Sequence, residues 1–427
     1  MELILATFRD TAQTFPVIWK IFSYTWFLIL PKAFYELFIF LWMKHIQRAY
    51  LFSLNFSVLE LIPPRNIEKS PKLMESFYNA LSGTDKGFSA HEKYIAGLLP
   101  TLFSLELVSE EGKIHFYIRT IKDFRNLVEA NLYAQYPDME INEVEDYTKK
   151  FPKILPNSEW ELWGTDIEPT KKDVYPILTY QYFKEDVTGK MIDPLASVLE
   201  YLGKVGKDQH VWIQFLIASD PPDWSKKEAK AVRDEVLGVK KPEEFSKRIA
   251  SDFMDVISNI FSGIFGEPEF KTEAKTQQQS LSIEAPLTTQ EKFALQAMEE
   301  NAGKSFFRTK LRYIYLGKKE KFNQDKTWTI SAFFGAFKQF ADMNLNGFKP
   351  NNDSKTYSLY IATQPRMRYR QRKIYKRYLD RDPEGVNMHM STAELATIFH
   401  FPDMSIVAPS VPRVEARRGA APSNLPI

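Results

Sequence analysis

The stretch SLELVSEEGKIHFYIRT, residues 104 to 120, decides how this chain is read. Its side chains alternate on both sides of a Glu-Gly step, which predicts two strands joined by a tight turn. Upstream, LFSLNFSVLELI at 51 to 62 is strand-like and stops at Pro63-Pro64. SPKLMESFYNALSG at 70 to 83 then reads as a helix, with Ser70 as cap, Pro71 at the first helical position and Gly83 at the end. Downstream, DFRNLVEANLYAQYP predicts a helix halted by Pro137, and MEINEVEDY predicts another strand. The order strand, helix, strand, strand, helix, strand over residues 51 to 150 is the split βαβ arrangement of a ferredoxin-like module. That fold hosts many unrelated functions and by itself decides none.

The second half starts in the same way. VYPILTYQYF at 174 to 183 reads as a strand, DPLASVLEYLGKV at 193 to 205 as a helix capped by Asp193, and HVWIQFLIAS at 210 to 219 as a strand. An insertion at about 221 to 286 follows, holding charged helical stretches, the apolar DFMDVISNIFSGIFG and a polar TQQQS. Then TTQEKFALQAMEEN, SFFRTKLRYIYLG and TISAFFGAFKQFADM read helix, strand, helix. The expectation is a second α+β module across 151 to 350, a diverged duplicate of the first by element order. The fold class is therefore α+β: an N-terminal transmembrane helix, then two ferredoxin-like modules, the second with a large insertion. Residues 351 to 427 remain as a basic stretch, a capped helix and a Pro/Arg-rich connector tail.

Length and composition set the bounds. The chain has 427 residues, 44% of them hydrophobic, which is enough to fill real cores. Fifty-six Lys and Arg against 54 Asp and Glu leave a formal charge of +2, so affinity for nucleic acid or anionic lipid has to be local. The absence of cysteine removes disulfides, thiolate metal sites and thiol nucleophiles, and fits an intracellular or inner-membrane setting. Aromatic residues reach 14%, which suggests large packed surfaces or a membrane contact.

Residues 21 to 43, IFSYTWFLILPKAFYELFIFLWM, carry only Lys32 and Glu36 as charges. As a helix the segment measures about 35 Å, against ~30 Å for a bilayer core. Each central charge costs roughly 2.5–3.5 kcal/mol on insertion scales, but the two stand at i and i+4, where they can pair. The segment is read as a membrane anchor within residues 1 to 50; the other reading is an amphipathic helix on the bilayer surface or over a soluble core. It is too long for a signal peptide and lacks a cleavage site. Lys44, His45 and Arg48 follow it, whereas Asp10 accompanies Arg9 and Lys20 before it, so the positive-inside rule puts the bulk in the cytoplasm.

Signatures of chemistry are sparse. GKS at 303 to 305 ends like a phosphate loop, but Met298 stands at the first glycine position and the order runs from helix to strand, the reverse of a phosphate-binding turn. The six histidines have no ligand spacing, so no metal and no cofactor is expected. EINEVEDY holds four carboxylates, with Glu143 and Glu145 on one strand face. That is the pattern of a solvated edge strand, or of an acid-base pair. The strongest charge feature is RMRYRQRKIYKR, 366 to 377, whose Arg366, Arg368, Arg370, Arg372, Lys373, Lys376 and Arg377 are interleaved with tyrosines. Such a pattern suits phosphate contacts and base stacking. It suits more readily a solvated helix near an anionic membrane or an acidic partner surface, or one whose arginines pair with Asp380, Asp382 and Glu384. Finally, MSTAELATIFHFPD at 390 to 403 predicts a short helix with Ser391 and Glu394 as a capping box.

Several stretches together resemble the N-terminal, membrane-proximal region of large ATPases related to type IV secretion and conjugative DNA transfer in uncultured bacteria. They are VLELIPP with SPKLMESFYNAL, SLELVSEEGKIHFYIRT, NLVEANLYAQYPDMEINEVEDY, ELWGTD, YPILTY, IDPLASVLE, VWIQFLI and STAELATIFHFPD, spread over most of residues 50 to 405. In that family the last of these is similar to the connector into the nucleotide-binding domain, and this chain reaches Ile427 where that domain would begin. The resemblance implies a non-catalytic module, single-pass in the bacterial inner membrane, that positions or oligomerises a phosphate-loop ATPase held in trans or missing from this chain. It also implies that Leu395, Ile398, Phe399 and Phe401 dock onto that partner. The alternative function is a membrane-tethered nucleic-acid-binding protein that grips DNA through 366 to 377.

Overall fold

The computed structural model describes residues 2–64, 67, 70–84, 87–183, 193–220, 224–236, 288–343, 345–351, 362–385, 387–402 and 411–413. The apolar and polar runs of the insertion, and the tail from 414 on, lie outside the described residues. The chain begins with one helix, α1 (Glu2–Ser53), followed by β1 (Phe56–Ile62), α2 (Ser70–Ser82) and the short α3 (Ala90–Tyr94). The stretch 104 to 120 forms the hairpin of β2 (Phe103–Glu110) and β3 (Lys113–Ile121). Its turn residues Glu111 and Gly112 have φ of 52° and 87°, the left-handed pair that a two-residue hairpin needs. A Cβ on Gly112 would fall 2.9 Å from the carbonyl oxygens of Gly203 and Val205, so the second position takes only glycine.

With α4 (Arg125–Gln135) and β4 (Glu140–Val144), the first half makes an antiparallel sheet in the order β4-β1-β3-β2. The second half consists of β5 (Trp160–Pro169), α5 (Ala196–Gly203), β6 (Gln209–Ser219), then α6 (Trp224–Val236) and α7 (Thr289–Ala302). β7 (Phe306–Lys318), α8 (Lys319–Lys338) and β8 (Phe348–Pro350) complete it. Its strand order, β8-β5-β7-β6, repeats that of the first half. The two halves join where β2 pairs antiparallel with β6, from Phe103 opposite Ile217 to Glu110 opposite His210. After α9 (Thr363–Leu379), β9 (Met388–Ser391) adds to the start of β7 and leads into α10 (Thr392–Ile398). The result is one nine-stranded antiparallel sheet in a mixed α+β fold.

Alternation divides the strands between two cores. Odd positions such as Leu105, Phe215 and Leu311 point to the face covered by α2, α4, α5, α8 and α10, where side chains including Phe77, Leu132 and Phe333 close the main core. Each such side chain stabilises the fold by about 1.5–3 kcal/mol when fully buried. The other face carries Val108, Trp212, Ile314 and Leu316, covered by Ile374, Tyr375 and Tyr378 of α9 and by Tyr147 and Leu155.

The segment 174 to 183, expected as a strand, joins no strand. Its backbone donors go instead to side chains and a helix end: Ile177 N–H to Glu394 (3.0 Å), Tyr180 N–H to Thr397 (2.9 Å) and Leu178 N–H to the Phe340 carbonyl (2.9 Å). The strand of that half is β5, which lies earlier. Residues 51 to 53 belong to α1, so β1 starts at Phe56 rather than Leu51.

At 52 residues, α1 is ~78 Å long. Ile46 is 8% exposed, whereas Phe34, Phe38, Phe40 and Leu41 are each at least half exposed. The expected span 21–43 lies inside this helix. Among the described residues, no helix is long and apolar enough to cross a membrane.

Candidate functional site

The seven basic residues read from sequence all fall on α9. Thr363 to Pro365 form its first turn, where a proline costs no hydrogen bond. Gln371, Ile374, Tyr375 and Tyr378 form the buried stripe that holds it to the sheet. Gln371 donates to Glu161 (2.8 Å) and to the Leu162 carbonyl (2.7 Å), and Tyr375 donates to the Pro152 carbonyl (2.9 Å). The i, i+4, i+7, i+11 spacing of Arg366, Arg370, Lys373 and Arg377 brings these four to one side. There, with Pro365, Tyr369 and Ile374, they line a cleft of about 490 Å³. Tyr369 is 66% exposed. Arg368, Arg372 and Lys376 lie off the cleft, the last two exposed. Of the expected acidic partners, Asp382 meets Arg377 at 3.7 Å, while Glu384 pairs with Lys44 of α1 at 3.3 Å.

Beneath the end of α9 lies a group of buried charges that sequence reasoning missed. One register row crosses the sheet through Glu60, Tyr117, Glu106, Gln214, Arg312 and Asp166. Arg312 is fully buried and donates to Asp166 (2.8 Å), to Gln214 (3.0 Å), and to the carbonyls of Arg377 (2.8 Å) and Asp382 (3.1 Å). Arg381, held at φ 49° just past the helix, reaches back to Glu106 at 2.9 and 3.1 Å and to Asp146 at 2.6 and 3.0 Å. Tyr147 donates to Glu106 (2.8 Å) and meets the Tyr378 hydroxyl at 2.7 Å. Lys310 lies 3.3 Å from Asp166.

Burial alone would raise the Glu106 and Asp146 carboxyls, but the Arg381 guanidinium, together with hydrogen bonds from Ser104 and Tyr147 to Glu106 and from Thr148 to Asp146, holds both below the ordinary range. Burial pushes the Tyr147 and Tyr378 phenols up and pulls the Lys310 ammonium down. The arrangement is a two-arginine clamp that fixes the end of α9 and the turn after it on the sheet. Its sequence signal is the alternation Arg308, Lys310, Arg312 inside an otherwise apolar strand, since charges at i, i+2 and i+4 of a central strand share one face.

The capped helix forms as read: Ser391 accepts from the Glu394 N–H (3.2 Å) and Glu394 accepts from the Ser391 N–H (2.8 Å). Its docking role is corrected. Leu395, Ile398, Phe399 and Phe401 are each 0% exposed, packed in the chain's own main core. Phe399 meets Phe116 and Phe215, each at 5.8 Å, and Phe401 meets Tyr136 edge-on at 5.1 Å. Glu394 also accepts from Asn301 (3.0 Å), and burial raises its carboxyl above the ordinary value. These side chains have no surface to offer a partner in this fold.

The remaining near-misses have structural employment. Gly303 ends α7, and Lys304 pairs with Glu75 at 2.7 Å. His115 meets Glu60 (2.7 Å) and His400 meets Asp193 (2.9 Å). β4 lies at the sheet edge, with Glu143 paired to Arg125 and Glu145 to Lys149. Among the described residues no group of three metal-ligating side chains converges.

Fold and site together define an α+β protein built on one continuous antiparallel sheet, with a cationic helix clamped across one face. The chain belongs to the family described as "Domain of unknown function (DUF8128)", whose model matches residues 58–413. No curated protein matches it.

Proposed function

We propose that the chain is a non-catalytic, membrane-anchored module of a transport machine related to type IV secretion and conjugative DNA transfer. It positions or oligomerises a phosphate-loop ATPase, supplied in trans, at the cytoplasmic face of the bacterial inner membrane. The observation that carries this reading is the way α1 leaves the body: buried at Ile46, then exposed and aromatic through Leu41 and Phe34. Lys20 and Lys44 bracket a stretch of α1 about 36 Å long, near the thickness of a bilayer core. The resemblance of residues 50 to 405 to the membrane-proximal region of those ATPases supports the same reading. The repeated strand order supports two ferredoxin-like modules fused edge to edge, which makes a rigid platform for a motor. On this reading the full-length chain neither binds nor hydrolyses ATP, and cross-linking in native membranes joins it to a phosphate-loop ATPase. Saturable nucleotide binding that is lost on Lys304→Ala would overturn it.

The cleft on α9 favours the second reading, a nucleic-acid contact. Four cations converge there beside the exposed Tyr369 ring, the combination of phosphate contacts with a stacking surface that single strands use. Binding to single-stranded DNA then weakens with salt by a log-log slope of about −0.7 per phosphate neutralised, and changing Arg366, Arg370 and Lys373, which line the cleft, to Gln flattens it. No binding at low salt removes this reading and leaves the scaffold.

A further inference from the structure

The point where α1 leaves the body carries a collar that belongs to the body itself. Trp42 is 40% exposed and its indole N–H donates to the Tyr94 carbonyl at 2.8 Å, so the polar group of the ring is satisfied by the body while the side chain stays partly open to solvent. Phe38, one turn further out, stacks on Trp42 at 6.2 Å. Tyr94 and Ile95, at the end of α3, are 45% and 61% exposed, a large apolar surface for a loop of the body. The Lys93 ammonium lies over the Tyr94 ring at 5.3 Å, and Lys44, His45 and Arg48 are exposed on the adjoining turns of α1.

The loop is clipped to the helix rather than draped near it. Gly97 has φ +68°, and a Cβ there would come within 2.6 Å of the Ile46 carbonyl carbon, so its backbone lies directly on α1. Ser89 and Glu92 close α3 with a reciprocal capping box. Glu92, the nearest carboxylate in the loop, is thereby occupied with the Ser89 N–H and hydroxyl, both at 2.8 Å.

We propose that Lys93, Tyr94 and Ile95 form a second membrane contact, seated in the headgroup region of an anionic lipid surface beside Trp42. This rests on the reading of α1 as the anchor. Three features select lipid as the occupant. The patch is continuous with the outward-going aromatic surface of α1. It combines Trp, Tyr and an aliphatic side chain, the residues that favour the water–bilayer boundary. Its rim is cationic, with Lys93 and Arg48 exposed to match anionic headgroups beside Lys44, which also pairs with Glu384. The consequence is orientation: two contacts, α1 and the collar, fix the tilt of the sheet against the membrane where one helix alone would let the body swing.

The chain contains no cysteine, so one labelled position can be read without background. The full-length Ile95→Cys variant, carrying an environment-sensitive fluorophore, is reconstituted in vesicles of phosphatidylcholine with phosphatidylglycerol. The proposal expects a blue shift in emission, quenching by lipids with spin-labelled chains, and loss of quenching by aqueous iodide. Replacing Lys93 by Gln and Tyr94 by Ser should reverse all three while the protein still floats with the vesicles. A label that stays accessible to iodide on floating protein overturns the collar and leaves the anchor standing. Protein that does not float removes the anchor, and the collar with it. Shielding of the label in native membranes but not in lipid vesicles overturns the lipid assignment in favour of a protein partner.

Discussion

Replacing Arg381 by Met tests whether the clamp holds α9. The side chain is 2% exposed and makes four charge-assisted contacts, two to Glu106 and two to Asp146. Because Met is also a non-glycine residue, the cost of φ 49° is nearly the same in both proteins and cancels. What remains is the loss of the counter-charge to Glu106, which is 0% exposed and would keep only Ser104, Tyr147 and Gln214 as donors. Stranding one partner of a buried ion pair costs about 3–5 kcal/mol. Glu106→Gln with Arg381→Met removes both charges and should cost less than the sum of the single changes, with a coupling of about 0.5–3 kcal/mol. Denaturant unfolding of the full-length protein in detergent measures both values. The pH dependence has a definite sign. Glu106 and Asp146 are depressed in the folded protein, so their contribution is complete above the ordinary carboxylate range of about 4–4.5 and is lost as pH falls through the depressed values. Without Arg381, burial raises the Glu106 carboxyl and the acid-unfolding midpoint moves to higher pH. A cost under about 1 kcal/mol, or strict additivity of the two changes, would refute the clamp, since a buried pair cannot be that cheap to break.

Leu395→Ala, inside the main core, should lower stability by about 2–5 kcal/mol, read as a shift of the denaturant midpoint; a surface-like effect under about 0.5 kcal/mol would return α10 to the role of a docking element. Ser391→Ala should cost about 1 kcal/mol through loss of the cap, seen in the isolated chain as a lower melting temperature. Gly97→Ala meets both a left-handed φ and the Ile46 backbone, so limited proteolysis should cut the junction between α1 and the body faster while the melt of the body changes little; unchanged cleavage would show that the loop is not clipped to the helix.

The first half was legible because its signals are local. Alternation about Glu111-Gly112, the prolines at 63, 64 and 137, and the apolar spacing of α2 and α4 each act within a few residues. The second half misled at 174 to 183, where VYPILTYQYF has strand composition but spends its N–H groups on Glu394, Thr397 and Phe340, partners about 160 to 220 residues away that no local pattern encodes. Conversely, β5 hides as WELWGTDIEP. Gly164 is there because Ile314 and Ile374 leave a Cβ only 3.2 Å, and Asp166 because a buried arginine needs a counter-charge. The cap of α10 was readable from Ser391 and Glu394, but its destination was not, since a capping box says where a helix starts and nothing about what covers it. The basic stretch was visible as charge. That its other side, through Ile374, Tyr375 and Tyr378, closes a second core depends on the opposite face of a sheet assembled from both halves.

Fractionation of the full-length chain and of a chain lacking residues 1–49, each expressed in a bacterial host and extracted from membranes with carbonate, decides whether α1 anchors the protein. The full-length chain should stay in the membrane pellet, and the shortened one should be released, folded, with a single cooperative melt. Release of the full-length chain by carbonate would contradict the anchor, and aggregation of the shortened chain with no cooperative melt would mean that α1 belongs to the body's core.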